Sequence, residues 1–475
     1  MAGINEQLAA VLQRRIAGCR SLLACERLST GASQETYRIV IGTDTGERKL
    51  AMRRAPGAAM PANAGYPGLA TEALLMSAAR SAGVPEPEIL WLLTPEDGLG
   101  DGFIMEWLEG ETLGARIVRD TSLDAIRPKL AEQLGEILAR IHAIDLEATG
   151  LATRLERLSP EQAVRSTWAR YQALDTPQPM IDFAARWLIE HLPATFEPTL
   201  VHNDFRNGNI MVSVAGVVAV LDWEIAHIGD PMRDLGWICT NSWRFGRSEL
   251  PVGGFGTYAD LIRGYERLSG KRVAAEHVRF WEIFGSFWWA CSSLSMAQHY
   301  RSGPDRTVER PAIGRRSSEC QVDCVNLLLP GPVALLAPDA LRSSVDMPRL
   351  DEIVTSVRDY LRNDVMAATS GRTQFLARVA GNALDIVLRD FAVGREHRAR
   401  QVARLRALLG EDGDLEGLRR ALVQRLRDNR MALDHPGLAD YLREAVVNQV
   451  AIDQPSYSGL KTALANAAAP SPLEL

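Results

Sequence analysis

Apolar residues change their spacing several times along the 475-residue chain, and each change predicts a different element. From Asn5 to about Arg20 the spacing is helical and predicts an amphipathic helix. Thr36–Ile41 and Lys49–Arg54 alternate instead. Thr43-Asp44-Thr45-Gly46 between them is a turn signal, so the pair predicts a hairpin. Leu69–Ala82 returns to helical spacing and stops at Gly83 and Pro85. Ile89–Leu93 and Phe103–Trp107 are two further strand-like runs. Residues 1–108 thus predict a small antiparallel sheet with one main helix.

From Glu111 to about Asn326 the pattern is mainly helical. Asp124–Ile144 predicts a long amphipathic helix, and Phe280–Tyr300 another. The aromatics of the second (Trp281, Phe284, Phe287, Trp288 and Trp289) read as core rather than as a ligand site. The exception is Val201–Leu221, a loop followed by two short strands around Gly216. Prolines from Pro330 to Pro338 predict a linker, Leu350–Val450 is helical again, and Ala467–Pro472 reads as a frayed tail. The expected organisation is a lobe at 1–108, a mainly helical lobe at 109–330, a linker at 331–345 and a small helical domain at 346–475.

Composition narrows the function classes. The chain is 46% hydrophobic and 24% charged, which excludes disorder. Its net charge of -6 argues against general nucleic-acid binding. All of it lies before Asp346, because acidic and basic residues balance beyond that point. Cys19, Cys25, Cys239, Cys291, Cys320 and Cys324 match no zinc spacing. The longest nearly apolar run, Ile210–Leu221, is too short to cross a bilayer. A reducing, cytoplasmic setting without a membrane is the expectation. Only Lys49, Lys129, Lys271 and Lys461 are lysines; the other basic residues are arginines. Any mechanism that needs a lysine has four candidates.

The segment that carries chemistry is His202-Asn203-Asp204-Phe205-Arg206-Asn207-Gly208-Asn209, followed by a hairpin and Leu221-Asp222-Trp223-Glu224. Phosphoryl transfer needs a carboxylate to orient a hydroxyl and accept its proton. It also needs oxygen ligands for magnesium against the nucleotide phosphates. Asp204 on a loop suits the first task. Asn209 suits the second, and the hairpin returns Asp222 beside it. His202 reads as a support of the loop, because a carboxylate already fills the role of base. Glu224 reads equally as an auxiliary metal or phosphate-water contact and as a capping residue.

The pattern H-x-D-x-x-x-x-N at His202, Asp204 and Asn209, with Asp222 in D-W-E, Gly229-Asp230-Pro231 and Asp234-Leu235-Gly236, resembles the aminoglycoside phosphotransferase and choline kinase branch of the protein-kinase-like fold. The resemblance covers about Ser21 to Leu329. It implies an α+β, two-lobed fold followed by a small all-α domain. It also implies an ATP-dependent kinase acting on a small-molecule hydroxyl with Mg2+; ATP and GTP are not distinguished.

Under this resemblance Asp234 anchors the catalytic loop. The turn holding Gly31 and Ser33 lies over the phosphates, and main-chain groups near Glu106 and Leu108 meet the adenine. Leu50-Ala51-Met52-Arg53 stands where protein kinases carry V-A-I-K. Lys49 shares the face of Arg53 but lies four residues too early, about 13 Å along a strand. Arg53 is therefore the expected phosphate cation and Glu72 its carboxylate partner. The substitution leaves open a degenerate protein that binds nucleotide without turnover.

The D-W-E, the G-D-P and a late helix at Ile313–Glu319 resemble phosphotransferase domains associated with acyl-CoA dehydrogenases. That resemblance implies a hydroxyacyl-CoA or hydroxy acid as acceptor. An aminoglycoside or amino alcohol is the alternative. Arg244, Arg247, Arg263 and Arg267, in an aromatic-rich stretch, favour an anionic or partly apolar acceptor. Arg372-x-x-Phe375-x-x-Arg378-Val379-Ala380-x-Asn382-Ala383-Leu384 and Val450–Pro455 resemble a helical domain of uncharacterised function found near such phosphotransferases. Acceptor closure, docking of a protein partner and self-association stay open as its roles.

Overall fold

The computed structural model describes residues 2–28, 34–55, 67–303, 305–338 and 347–466. The chain forms two compact units. One holds 1–160, 194–239 and 243–281; the other holds 161–193, 240–242 and 282–475.

The first unit begins with a helix, Ala2–Arg15, and an antiparallel sheet. Its strands are β1 (Cys19–Arg27), β2 (Glu35–Thr43), β3 (Gly46–Arg54), β4 (Ile89–Leu92) and β5 (Gly102–Glu106), in the order β1-β2-β3-β5-β4. Alternation sorts β3 by face. Leu50 and Met52 enter the buried cluster with Leu8, Leu12, Ile39 and Ile104. Ala51 and Arg53 belong to the opposite face, paired in register with Met105 and Phe103 of β5.

The expected first helix needs correction at its end: it stops at Arg15, and β1 starts at Cys19. The strand was hidden because its pairing with β2 shifts register between Cys19 and Ser21 and between Leu22 and Ala24. Such bulges destroy the two-residue alternation that marks a strand.

In the same unit the helix Leu69–Ser81 carries Glu72, buried, in its first turn. Helices Arg127–His142 and Tyr258–Ser269 pack closely, because a Cβ at Gly135 would collide with the carbonyl of Leu261. Two small antiparallel pairs complete it. β6 (Thr199–Val201) pairs with β9 (His227–Gly229), and between them β7 (Ile210–Ser213) pairs with β8 (Gly216–Val220). The β6/β9 pair is new to the sequence reading; three-residue strands carry no usable period.

The second unit is helical. Ser317–Leu328 packs on Leu438–Asp453 and Ser458–Ala465, tied by Tyr457 Oη to Asp323 at 2.6 Å and Asn326 Nδ2 to Gly459 O at 2.8 Å. Pro179–Glu190 packs on Leu415–Arg427, where Arg427 Nε reaches Asp182 at 2.7 Å. The expected helix at Ile313–Glu319 is two helices, Glu309–Arg315 and Ser317–Leu328, broken at Arg316. The helix Leu350–Tyr360 buries none of its residues. Ala467–Pro472 lies outside the described residues. Among the described residues no helix is long and apolar enough to cross a membrane.

Candidate active site

The site is built from four pieces of the first unit: β3, the helix Leu69–Ser81, the loop after β6 and the segment after β8. Asp204 follows β6 and is held from three sides. Its Oδ1 accepts from Arg206 Nε at 2.9 Å and Trp237 Nε1 at 2.9 Å, and its Oδ2 accepts from Asn209 Nδ2 at 2.6 Å. The same amide nitrogen reaches the Asp204 carbonyl at 3.0 Å, so the loop is closed on itself across five residues. Trp243 packs edge-on against Trp237 with ring centroids 5.2 Å apart, and the Arg206 guanidinium lies 4.4 Å from the Trp243 ring. One side of Asp204 is therefore an aromatic wall bearing one cation.

Beneath the loop lies a buried carboxylate, Asp234. It accepts the amide N–H of His202 at 2.9 Å and of Asn203 at 2.8 Å, and His142 Nε2 at 3.1 Å. Burial pushes its pKa up, but these donors outweigh burial and hold it below the ordinary value. Asn203 sits at φ 72°, a left-handed conformation that asparagine tolerates. The His202 ring is fully buried, and burial pushes its pKa down. Its Nε2–H donates to Leu221 O at 3.1 Å and its Nδ1 accepts from the Asp204 amide at 3.2 Å. Both nitrogens are spent on backbone, which leaves this ring no role as a base.

Asp222 follows β8 at φ 70°, and the Leu221 amide donates to Asn209 O at 2.7 Å. The hairpin thus closes the separation between Asn209 and Asp222. From Asp222 the network crosses to β3. Arg53 Nη2 meets Asp222 Oδ1 at 2.8 Å and Glu224 Oε2 at 3.3 Å, and Nη1 meets Glu72 Oε1 at 3.1 Å. Its Nε donates to Gln34. One guanidinium thus serves three carboxylates.

The consequence is visible in their proton affinities. Burial, with Asp222 and Glu224 adding to it, pushes Glu72 up to about 7 although Arg53 pulls it down. Glu224 is also raised, chiefly by burial and then by Asp222. Trp223, between Asp222 and Glu224, turns inward and donates to buried Glu86 at 3.0 Å.

Six of the expected residues therefore converge: Arg53, Glu72, Asp204, Asn209, Asp222 and Glu224. His202 and Asp234 sit directly behind them. Glu106 ends β5, where its amide donates to Glu88 O at 2.9 Å. Leu108 lies two residues further on, half-buried. Gly31 and Ser33 lie outside the described residues. Lys49 is paired with Glu109 at 2.6 Å on the exposed part of β3.

Trp237, Arg206 and His142 were missed. Trp237 and His142 reach the site from helices with no local signal. Arg206 could have been read from its place two residues after Asp204. The arginines of the later segment are engaged: Arg263 with Glu132 and Asp260, Arg267 with Glu132 and Glu136, and Arg244 with the carbonyl of Cys239. They no longer argue for an anionic acceptor.

The phosphotransferase enzyme family matches residues 24–270, over half of the chain and the whole of this network. The chain belongs to that family. A second family, a domain of unknown function termed DUF6285, matches residues 367–457. Acyl-CoA dehydrogenase family member 10 of Mus musculus is 34% identical over 44% of this chain and 19% of its own length. Acyl-CoA dehydrogenase family member 11 of Gallus gallus is 29% identical over 59% of this chain and 37% of its own. The chain thus spans well under half of the length of these relatives. The solved structure of a candidate aminoglycoside phosphotransferase from Ralstonia eutropha JMP134 superposes with a TM-score of 0.56 at 22% identity, covering 68% of this chain and 97% of that one. This likeness shows the kinase-like fold of the family.

Proposed function

We propose that this phosphotransferase moves the γ-phosphate of ATP to the hydroxyl of a small molecule, with Asp204 as the base. The observation that carries the reading is the run of contacts from Asp204 to Asn209, from Asn209 to the backbone of Leu221 beside Asp222, and from Asp222 through Arg53 to Glu72, which joins residues 53 to 222 in one network. Asp204 orients the acceptor hydroxyl and takes its proton. Its two oxygens are already fixed by Trp237, Arg206 and Asn209, so little reorganisation is needed.

Asn209 and Asp222 are the residues that would hold Mg2+. They fit as donors: both offer hard oxygen, and the Asn209 amide nitrogen faces Asp204, which leaves its oxygen for another partner. The surroundings fit too, because four carboxylates outnumber the two guanidinium groups of Arg53 and Arg206. When bound, the ion neutralises charge on the transferring phosphate. Arg53 pairs with the phosphates, Glu72 orients it, and Glu224 is auxiliary. Main-chain groups at Glu106 and Leu108 take the adenine. His202 and Asp234 hold the loop.

For the acceptor we propose a hydroxyacyl-CoA or hydroxy acid. The support is the kinship with proteins named as acyl-CoA dehydrogenase family members. Turnover with Mg-ATP across hydroxyacyl-CoAs, aminoglycosides and amino alcohols tests it. Phosphorylation of the last two classes alone would overturn this acceptor.

One observation favours a second reading, a nucleotide-binding partner protein without turnover: every donor nitrogen of Arg53 is already engaged. Absence of turnover with all three classes, together with ATP binding, would select it. Exposed Leu350, Ile353, Val357 and Tyr360, spaced along one helix, support self-association through the carboxy-terminal helices. Sedimentation of Val357→Asp beside the unmodified chain reads this directly.

A further inference from the structure

Behind the catalytic loop, wholly inside the first unit, lies a cavity of about 560 Å³. Its size suits a small organic molecule. Apolar atoms, among them those of Phe196, Pro231, Met232 and Leu268, supply most of its exposed surface, polar and charged residues line the rest, and none of the groups that converge on Asp204 lines it except through the anchor below.

Its charged groups are nearly all satisfied within the protein. Lys271 pairs with Glu197 at 2.5 Å and Arg272 with Glu266 at 3.3 Å. Asp230 accepts from His277 at 2.5 Å and Trp281 at 2.8 Å. Arg140 is the exception. It is half-buried on the wall of the cavity, its stem would meet a Cβ at Gly83, and it has no carboxylate partner among the described residues. A half-buried arginine without a carboxylate partner, beside largely apolar surface, calls for an anion attached to an apolar body.

The same wall includes His142 and Tyr265. His142 lies between the Tyr265 hydroxyl at 3.1 Å and Asp234 at 3.1 Å. Asp234 in turn holds the amides of His202 and Asn203, the two residues before Asp204. An occupant of the cavity meets His142, which holds the carboxylate that anchors the catalytic loop.

We propose that this cavity is a second ligand site, distinct from that of the phosphate acceptor, which takes a small monoanion with an apolar tail, its acid group on Arg140. Occupancy stiffens the catalytic loop through His142 and Asp234. The test needs no turnover, so it stands apart from the proposed kinase reaction.

Octanoate is titrated into the full chain by calorimetry, with octanol as the uncharged counterpart. The unmodified chain is expected to bind octanoate saturably and octanol more weakly. Arg140→Ala should weaken octanoate by about tenfold to a hundredfold and remove its advantage over octanol, and Arg140→Lys should restore part of it. Ala143 lines the cavity at an exposed position, so Ala143→Trp fills the space without disturbing the core and should abolish binding of both. Hydrogen exchange at the His202 and Asn203 amides should slow in the octanoate complex. Failure of octanoate to bind, or equal binding by the Arg140→Ala and Ala143→Trp variants, would overturn the site. Unchanged exchange in a formed complex would overturn the coupling.

Discussion

Two buried carboxylates, Asp234 and Glu72, belong to the same site and are treated in opposite ways. Asp234 receives three donors of its own, two of them backbone amides, and its pKa is lowered in spite of burial. Glu72 shares one guanidinium with Asp222 and Glu224, and its pKa is raised to about 7. A carboxylate with fixed dipoles to itself is a structural pin. One that competes for a cation is part of a cluster short of positive charge. Under the proposed mechanism that shortage is what a metal ion and a nucleotide relieve.

The sharpest way to break this comparison is at Asp222. Asp222→Asn, which keeps the left-handed backbone conformation, should lower phosphoryl transfer by about a hundredfold to a thousandfold, the usual cost of one electrostatic stabiliser of the transition state. It should leave the fold intact, because Asp222 is partly exposed. Steady-state kinetics beside a denaturant melt checks both halves; a large loss of stability would make Asp222 another pin.

Asp234 should behave the other way. Asp234→Ala strands two buried amides at about 1–3 kcal/mol each, so unfolding in urea should show a loss of about 2–6 kcal/mol. Loss of turnover with unchanged stability would contradict the assignment.

The pH dependence separates the two again. Between the ordinary 4.5 and the folded value of about 7, native Glu72 keeps a proton that the unfolded chain has released. Its contribution is complete below 4.5 and is lost as pH rises through 7, in total about 3 kcal/mol. Glu72→Gln should flatten this part of the stability profile. Asp234, lowered, should contribute no fall over that range.

The smallest effect is expected at Lys49, whose partner Glu109 is exposed. Lys49→Ala should change stability by less than about 1 kcal/mol and leave ATP affinity unchanged. Arg53→Ala should weaken ATP use far more. The reverse order would mean that the phosphate cation lies elsewhere on β3.

The sequence showed the parts of this site that depend on spacing. Asp204 and Asn209 are five residues apart on one loop, and a hairpin between Asn209 and Asp222 brings its ends together by construction. Alternation along β3 put Arg53 opposite Leu50 and Met52. What stayed hidden depends on contacts between distant segments. Trp237 and His142 meet Asp204 and Asp234 only after helices far apart in sequence have packed. β1 escaped because its bulges erase its period, and the pairing of Arg263 and Arg267 with Glu132 and Glu136 was hidden because those partners are distant in sequence.

The central claim is that Asp204 is the base of a phosphoryl transfer. The direct measurement is transfer of labelled γ-phosphate from Mg-ATP to a hydroxylated acceptor by the unmodified chain and by Asp204→Asn, with ATP binding to both measured in parallel. Transfer should fall at least about a hundredfold in the variant while ATP binding persists. Equal transfer by both proteins would contradict the account.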